Sequence, residues 1–413
     1  MRERFGVDAG ILQAIDPREL GRRLQEARKM RGSTQQEAAE QLGVARTTLT
    51  AIEKGERRVQ PNELIRLAAF YGRSVGEFLR RGEPTEPFSV QFRAALAPFG
   101  ATEVELNPYL GEFHRLCEDY LELERLCGSP LSYRYPPIYE IKGVSPEAAA
   151  ADVAASERNR LSLGDGPVVR LRELLEDDVG LRIFSMNLPS RIAAMFAYTD
   201  RLGGCIAVNR KHPAERRRHS VAHEYGHFLS QRYRPEVIVL GRYQRQPEHE
   251  RFAEAFARMF LMPSAGLKRR FHELHRDREG RITPADLCRL AARYAVSVEA
   301  LTRRLEELQL LPMGTWDRLS QAGFKVREAQ ELLHLEPHPG NDQLLPTRYL
   351  YLAAEAYERG DLSEGQLARF LRTDRLEARR IVAELAVETE VSGEGTVGML
   401  PLNLGETLPT RGA

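Results

Sequence analysis

The stretch SVAHEYGHFL (220–229) sets the reading of this chain. On a helix, residues four apart share a face, with Cβ atoms about 5–6 Å apart. His223 and His227 can therefore reach one ion at about 2.0–2.1 Å, the zinc–nitrogen distance. Glu224 projects beside such an ion, where it accepts a proton from a water that the ion acidifies. Val221, Ala222, Phe228 and Leu229 are apolar, so the helix is expected to be largely buried. Two histidines and a glutamate in such a helix need a partner. Gly226 leaves room for another backbone to come close.

A catalytic zinc takes three protein ligands and keeps a fourth position open, so one more ligand is needed. Ser230 and Tyr233 stand where a metzincin would place its glycine and third histidine. His219 lies on the same stripe, four residues before His223. One straight helix does not easily set three imidazoles around a tetrahedral ion, so His219 is a surface histidine or one that braces the ligands. EHERFAEAFARMFLMP (248–263) is the better source. Its Glu250 and Glu254 are one turn apart on a helix whose other side carries Phe252, Ala253, Phe256, Ala257 and Phe260. A ligand glutamate followed four residues later by an acid resembles the thermolysin-like arrangement, in which the second acid holds the first histidine's other ring nitrogen. Glu250 is taken as the ligand and Glu254 as the group that orients His223. The reverse assignment uses the same two residues, and the plain alternative is two solvated glutamates.

These residues resemble the ImmA/IrrE family of metallopeptidases, whose core runs roughly HExGH and then ExxA(N/D)xFAxxLLMP. HEYGH (223–227) and ERFAEAFARMFLMP (250–263) carry the resemblance. The strand ending at Asn209 and the downstream LAxxYxVSxxAL helices extend it over about 145–312. Glu254 departs from the pattern, since the family has Asn or Asp there. The resemblance implies a small sheet beside zinc-binding helices, peptide-bond hydrolysis, and Glu224 as general base and proton shuttle. Two imidazoles and one carboxylate favour Zn2+ as the cofactor. The group that stabilises the oxyanion stays open among Tyr233, Tyr243, His249, His272 and His275.

Upstream, apolar residues recur at helical spacing in Leu20, Leu24 and Ala27, in Ala38, Ala39 and Leu42, in Leu49 and Ile52, and in Leu64, Leu67 and Ala68. Ser33 or Thr34 can cap a helix opening at Gln35, and Gly43 and Gly55 end successive helices. The stretch from Ser33 to Leu79 is similar to the Cro/repressor-type (XRE) helix–turn–helix. Ala39, Val44, Leu49 and Ile52 then fix the angle between two helices, and the second helix enters the major groove with its N-terminal residues. Arg46, Thr47 and Thr48 hold those positions. Gln35 matches a residue that meets the DNA backbone or a base edge, and Lys54, Arg57 and Arg58 are placed for phosphates. A helix–turn–helix that binds protein is the alternative.

Charge supports the first reading. The 413 residues carry a net charge of +1, yet residues 17–82 hold 14 Lys/Arg against 8 Asp/Glu, leaving the rest near −5. A basic segment on a near-neutral protein points to a polyanion partner for that segment. No run reaches the roughly 18 apolar residues of a membrane span, and MRERFGVDAG lacks the apolar core of a signal peptide. Cys117, Cys127, Cys205 and Cys288 are far apart with no CxxC pair, which fits a reducing cytoplasm.

The expected fold is α+β and mostly helical. It comprises a five-helix domain (17–82), a linker and amphipathic helix (83–144), a zincin-like core with a small sheet (145–312), and a helical region with a loose tail (313–413). Strands are predicted over 181–188, 192–199 and 205–209, and helices over 105–127, 212–233, 247–262, 284–310 as a pair, and 343–386 as a set. Helix 105–127 either supplies a homodimer face or is buried against the peptidase. LIRLAAFYGRSVGEFLRR (64–81) and LCRLAARYAVSVEALTRR (287–304) agree at 10 of 18 positions, through duplication or through a shared need at helix corners. GDLSEGQLARFLRTDRLEARRIVAEL (360–385) reads as another such corner, binding protein or covering the active-site cleft. The functional expectation is a cytoplasmic, DNA-binding zinc metallopeptidase that cuts a repressor-type protein. Its rivals are a non-enzymatic regulator that uses the zincin fold as a sensor, and an antitoxin-like binding protein.

Overall fold

A computed structural model describes residues 16–73, 75–79, 88, 102–141, 143–239, 247–335, 343–386, 388–391 and 397–400. They form two compact units that divide between Glu112 and Phe113. The architecture is α+β and mostly helical, as the sequence suggested. Most of the predicted 81–89 linker lies outside the described residues.

Among the described residues the first unit holds five short helices: α1 (Pro17–Met30), α2 (Gln35–Leu42), α3 (Arg46–Glu53), α4 (Pro61–Tyr71) and α5 (Val75–Leu79). Thr34, not Ser33, caps α2, and Glu37 reaches back to the Thr34 backbone in a capping box. Gly43 closes α2 in the left-handed region at φ 70°. The apolar positions read from the periodicity form one core, which Val59, Tyr71 and Phe78 complete. Beneath it, Arg28 forks onto Glu53 at 2.6 and 3.1 Å, a buried pair that ties α1 to the end of α3.

A long helix, α6 (Thr102–Cys127), leads to α7 (Pro146–Arg160) and a short α8 (Leu171–Leu174) that runs into a π-helical turn. A four-stranded sheet follows in the order β1-β3-β2-β4, with β1 (Arg182–Met186), β2 (Ile192–Thr199), β3 (Gly203–Asn209) and β4 (Glu236–Val239). β1 runs parallel to β3 and the other pairs are antiparallel, with Phe196 and Ile183 both registered on Ile206. β4, which the sequence reading lacked, adds an outer strand beside β2. Asn209 ends β3 and pins the β1–β2 connection by donating to the carbonyls of Leu188, Pro189 and Ile192.

β1 and β3 are buried at every residue, because helices cover both faces of the sheet. On one face Ile183, Phe196 and Ile206 meet α9 (Ala214–Gln231), and α10 (Glu248–Leu261) packs on α9 and on α7. On the other face Phe184 lies 6.3 Å from Tyr120 of α6 and 6.5 Å from Tyr349. Arg182 is fully buried there and pairs with Glu124 of α6 at 2.7 Å. The α6 segment from Phe113 onward is thus buried in this unit, which is the second of the two fates expected for it.

Then come α11 (Ser264–Asp277), which was not predicted, the pair α12 (Pro284–Tyr294) and α13 (Val298–Glu307), and two short helices, α14 (Thr315–Gln321) and α15 (Val326–Leu332). The set α16 (Thr347–Glu358), α17 (Glu364–Phe370) and α18 (Arg375–Ala386) closes the helical part. The repeated sequence corner is a repeated local shape: α4 ends at Gly72 (φ 67°) and α12 at Ala295 (φ 52°), both left-handed. The C-terminal set covers the sheet edge, since Leu344 accepts from the Ser185 backbone of β1 at 3.1 Å and Arg348 pairs with Glu124. The predicted loose tail is in part ordered: β5 (Glu388–Val391) and β6 (Val397–Leu400) form an antiparallel hairpin. The signal for it was the glycine-bearing SGEG between two β-prone runs.

Candidate metal centre

α9 carries His219, His223, Glu224 and His227, and α10 carries Glu250 and Glu254. The two helices touch at Gly226. A Cβ there would lie 3.0 Å from Ala253 Cα and 3.2 Å from Phe256, so any side chain at this position would press α10 outward by a few tenths of an ångström. Behind α9 the Tyr225 hydroxyl donates to Glu157 of α7, and Arg160 holds both groups, its guanidinium 2.7 Å from Glu157 and 3.0 Å from the Tyr225 hydroxyl. This network fixes the rotation of α9 and leaves its histidine stripe facing α10.

His223, His227 and Glu250 converge, with one ligand atom from each within 4.8 Å of the others. The Nε2 atoms of His223 and His227 are 3.0 Å apart; Glu250 Oε2 lies 3.4 Å from the first and Glu250 Oε1 3.4 Å from the second. Ligands about 2.1 Å from a tetrahedral ion are separated by about 3.4 Å, so these donors fit one ion of zinc size. Glu254 stands outside the triad, 3.5 Å from His223 Nδ1 and 3.3 Å from His219 Nε2. Glu224 and His227 are fully buried and His223 nearly so. His227 Nδ1 is buried with no hydrogen-bond partner among the described residues.

The electrostatics follow from this packing. Burial opposes charge on His223, but Glu250 and Glu254 outweigh it and raise its pKa to about 10. His227 is pushed down to about 4, first by burial. Burial alone would raise Glu250, yet hydrogen bonds from His223 and His227 hold it far below the usual carboxylate range. For Glu254 burial is likewise overcome, mostly by His219 and then by His223. Without an ion, a proton among the imidazoles balances the acids, and a metal must displace that proton to bind.

Of the oxyanion candidates, His249 has its ring 6.0 Å from that of His227. Tyr233 is 68% exposed and packs on Tyr198. His272 and His275 sit beside Phe271 on α11, and Tyr243 lies outside the described residues.

In the first unit, Arg46 and Thr47 open α3 exposed, with Thr48 half-buried beside them. Lys54 and Arg58 are exposed as well. Two of the proposed contacts are engaged inside the domain. The Gln35 amide donates to Glu53 at 2.9 Å and accepts from Thr50, and Arg57 is bidentate to Glu63 at 2.9 and 3.0 Å. Sequence spacing did not reveal these engagements, because the acids that make them come from other turns of the fold.

Residues 176–306 match the family model of the IrrE N-terminal-like domain, and residues 24–78 match that of the helix-turn-helix. No curated protein and no solved structure matches the chain. The first match spans the sheet and all of the convergent donors, and the second spans the core of the five-helix unit except Leu20. The chain therefore couples an XRE-type DNA-binding helix–turn–helix to a metallopeptidase-like domain of the ImmA/IrrE family.

Proposed function

We propose that the protein is a zinc endopeptidase held at DNA by its first domain, and that it cuts a repressor-type protein in a stress or mobile-element response. The observation that carries this reading is the convergence of His223, His227 and Glu250 beside the buried Glu224. A divalent ion bound there would polarise the scissile carbonyl and acidify a water. The donor set carries a single negative charge, so the filled site keeps a net positive charge. His223 and His227 bind through Nε2, and Glu254 keeps the Nδ1 proton of His223 in place. Glu224 takes up the proton released as water adds to the peptide carbon and returns it to the leaving amine. The helix–turn–helix contributes Arg46, Thr47 and Thr48 toward base edges, while Lys54 and Arg58 meet phosphates. Gln35 and Arg57 act from the positions in which Glu53 and Glu63 hold them.

Metal content by elemental analysis tests the site. Wild type should hold about one zinc per chain and Glu250→Ala far less, as expected of a three-ligand site. Glu224→Ala should keep its zinc and lose cleavage of helix–turn–helix repressors offered as substrates. A wild-type chain that takes up no zinc when supplied with it defeats the reading and leaves a non-enzymatic DNA-binding regulator.

A further inference from the structure

The outermost histidine of the α9 stripe has no part in the ligand triad, and its geometry shows what it does instead. The rings of His219 and His223 are 6.4 Å apart, against 4.8 Å for His223 and His227, so His219 stands a full turn away from the convergent donors. Its Nε2 meets Glu254 Oε1 at 3.3 Å, while the other oxygen, Oε2, meets His223 Nδ1 at 3.5 Å. One carboxylate thus spans two successive turns of α9, with one imidazole on each oxygen.

We propose that His219 is a positioning residue of the metal site, gripping Glu254 so that its second oxygen faces Nδ1 of His223. The inference rests on the metal-site reading above. A histidine that binds an ion through Nε2 carries its proton on Nδ1, and an acceptor fixed there sets both the tautomer and the direction of the ring. Glu254 is a poor acceptor by itself: its side chain is 42% exposed and long enough to swing into water. Backbone packing does not hold it, since α10 buries the opposite side of the helix, Phe252, Phe256 and Phe260. A donor on its far oxygen supplies the missing restraint. His219, itself about one-third exposed, is the group that provides it.

The test is zinc affinity, measured on the full chain by competition with a chromogenic chelator. Loss of an outer partner of a ligand histidine costs about 10–100-fold in metal affinity, which is the loss expected for Glu254→Ala. His219→Ala acts one bond further out and should weaken zinc by about 3–10-fold. His219→Gln, whose amide can donate to the same oxygen, should recover most of that loss. Removing both groups should cost no more than Glu254→Ala alone, because His219 acts only through Glu254. Wild-type affinity in His219→Ala, or additive losses in the double variant, would overturn the proposal while leaving the metal site intact. A wild-type chain without measurable zinc affinity would remove the metal reading and this inference together.

Discussion

Replacing Gly226 by alanine perturbs a close contact between the helix that carries His223 and His227 and the helix that carries Glu250. The added Cβ would stand 3.0 Å from Ala253 Cα and 3.3 Å from Ala253 Cβ, whereas carbon atoms rest about 3.5–4.0 Å apart. The neighbour at closest range is backbone, so α10 must give by a few tenths of an ångström. Overpacking of this kind costs about 1–3 kcal/mol, and the helix preference of alanine over glycine returns up to about 1 kcal/mol. The net destabilisation is modest, about 1 kcal/mol. The site should suffer more. Glu250 lies one turn before Ala253 on the same helix and moves with it, while metal sites tolerate ligand shifts of only about 0.2 Å. We expect Gly226→Ala to bind zinc about tenfold more weakly, a loss of about 1.4 kcal/mol, with its metal-free melting temperature lowered by about 2–4 °C. Chelator competition and calorimetry of the metal-free chain measure the two effects separately. Unchanged zinc affinity with a raised melting temperature would refute the reasoning, because the helix contact would then not set the ligand spacing.

Three further outcomes follow from other parts of the molecule. Burial raises the pKa of Glu176 to about 7, despite its ion pair with Arg172. A carboxyl whose folded pKa lies above its unfolded value stabilises most below the unfolded pKa, and that contribution is lost as pH rises through the folded one. Unfolding free energy should therefore fall by up to about 3 kcal/mol from this group between pH 4.5 and 7.5, and Glu176→Gln should flatten that part of a pH-resolved denaturant series. Ala295 holds the left-handed turn between α12 and α13 at φ 52°, so Ala295→Gly should stabilise the chain by about 0.5–1 kcal/mol, read as a higher melting temperature. On a selected operator, fluorescence anisotropy at fixed salt should show Arg46→Ala losing about 1–3 kcal/mol of binding. Arg57→Ala should lose less, because its guanidinium is already committed to Glu63; a larger loss at Arg57 would reverse that assignment.

Much of the candidate site can be read from spacing alone, because its logic is that of two helices. His223 and His227 need only the helical repeat to share a face, and Glu250 and Glu254 need only the same repeat on a second helix. What spacing does not carry is the crossing of the two. The role of His219 depends on Glu254 arriving opposite it, and that depends on how closely α9 and α10 approach at Gly226. The same limit applies in the first unit: Arg57 and Gln35 read as free polar groups until the fold brings Glu63 and Glu53 to them. β4 escaped because four residues, Glu236–Val239, are too few to show an alternation, and they form a strand only by pairing with β2. α11 escaped because its KRR and HRD runs dilute the apolar stripe of Leu267 and Phe271. The XRE core was the most legible part, since its helices are short, closed by glycines, and packed on neighbours in sequence.

The two-sided cover on the sheet has a consequence for the order in which the protein is made. Arg348 reaches Glu124 across 224 residues and Arg372 reaches Asp119 across 253. The buried core cluster of the helix–turn–helix, by contrast, runs among the described residues from Leu20 to Phe78 and is closed once residue 78 has been added. Domains fold as units from the N-terminus while the chain is still growing, and contacts distant in sequence form late. On the ribosome the helix–turn–helix core is closed while the metallopeptidase-like domain still lacks the cover on one face of its sheet. A nascent chain would complete the helix–turn–helix core before the face of the sheet that Arg348 and Arg372 close, and termination before residue 348 would leave that face without either pair.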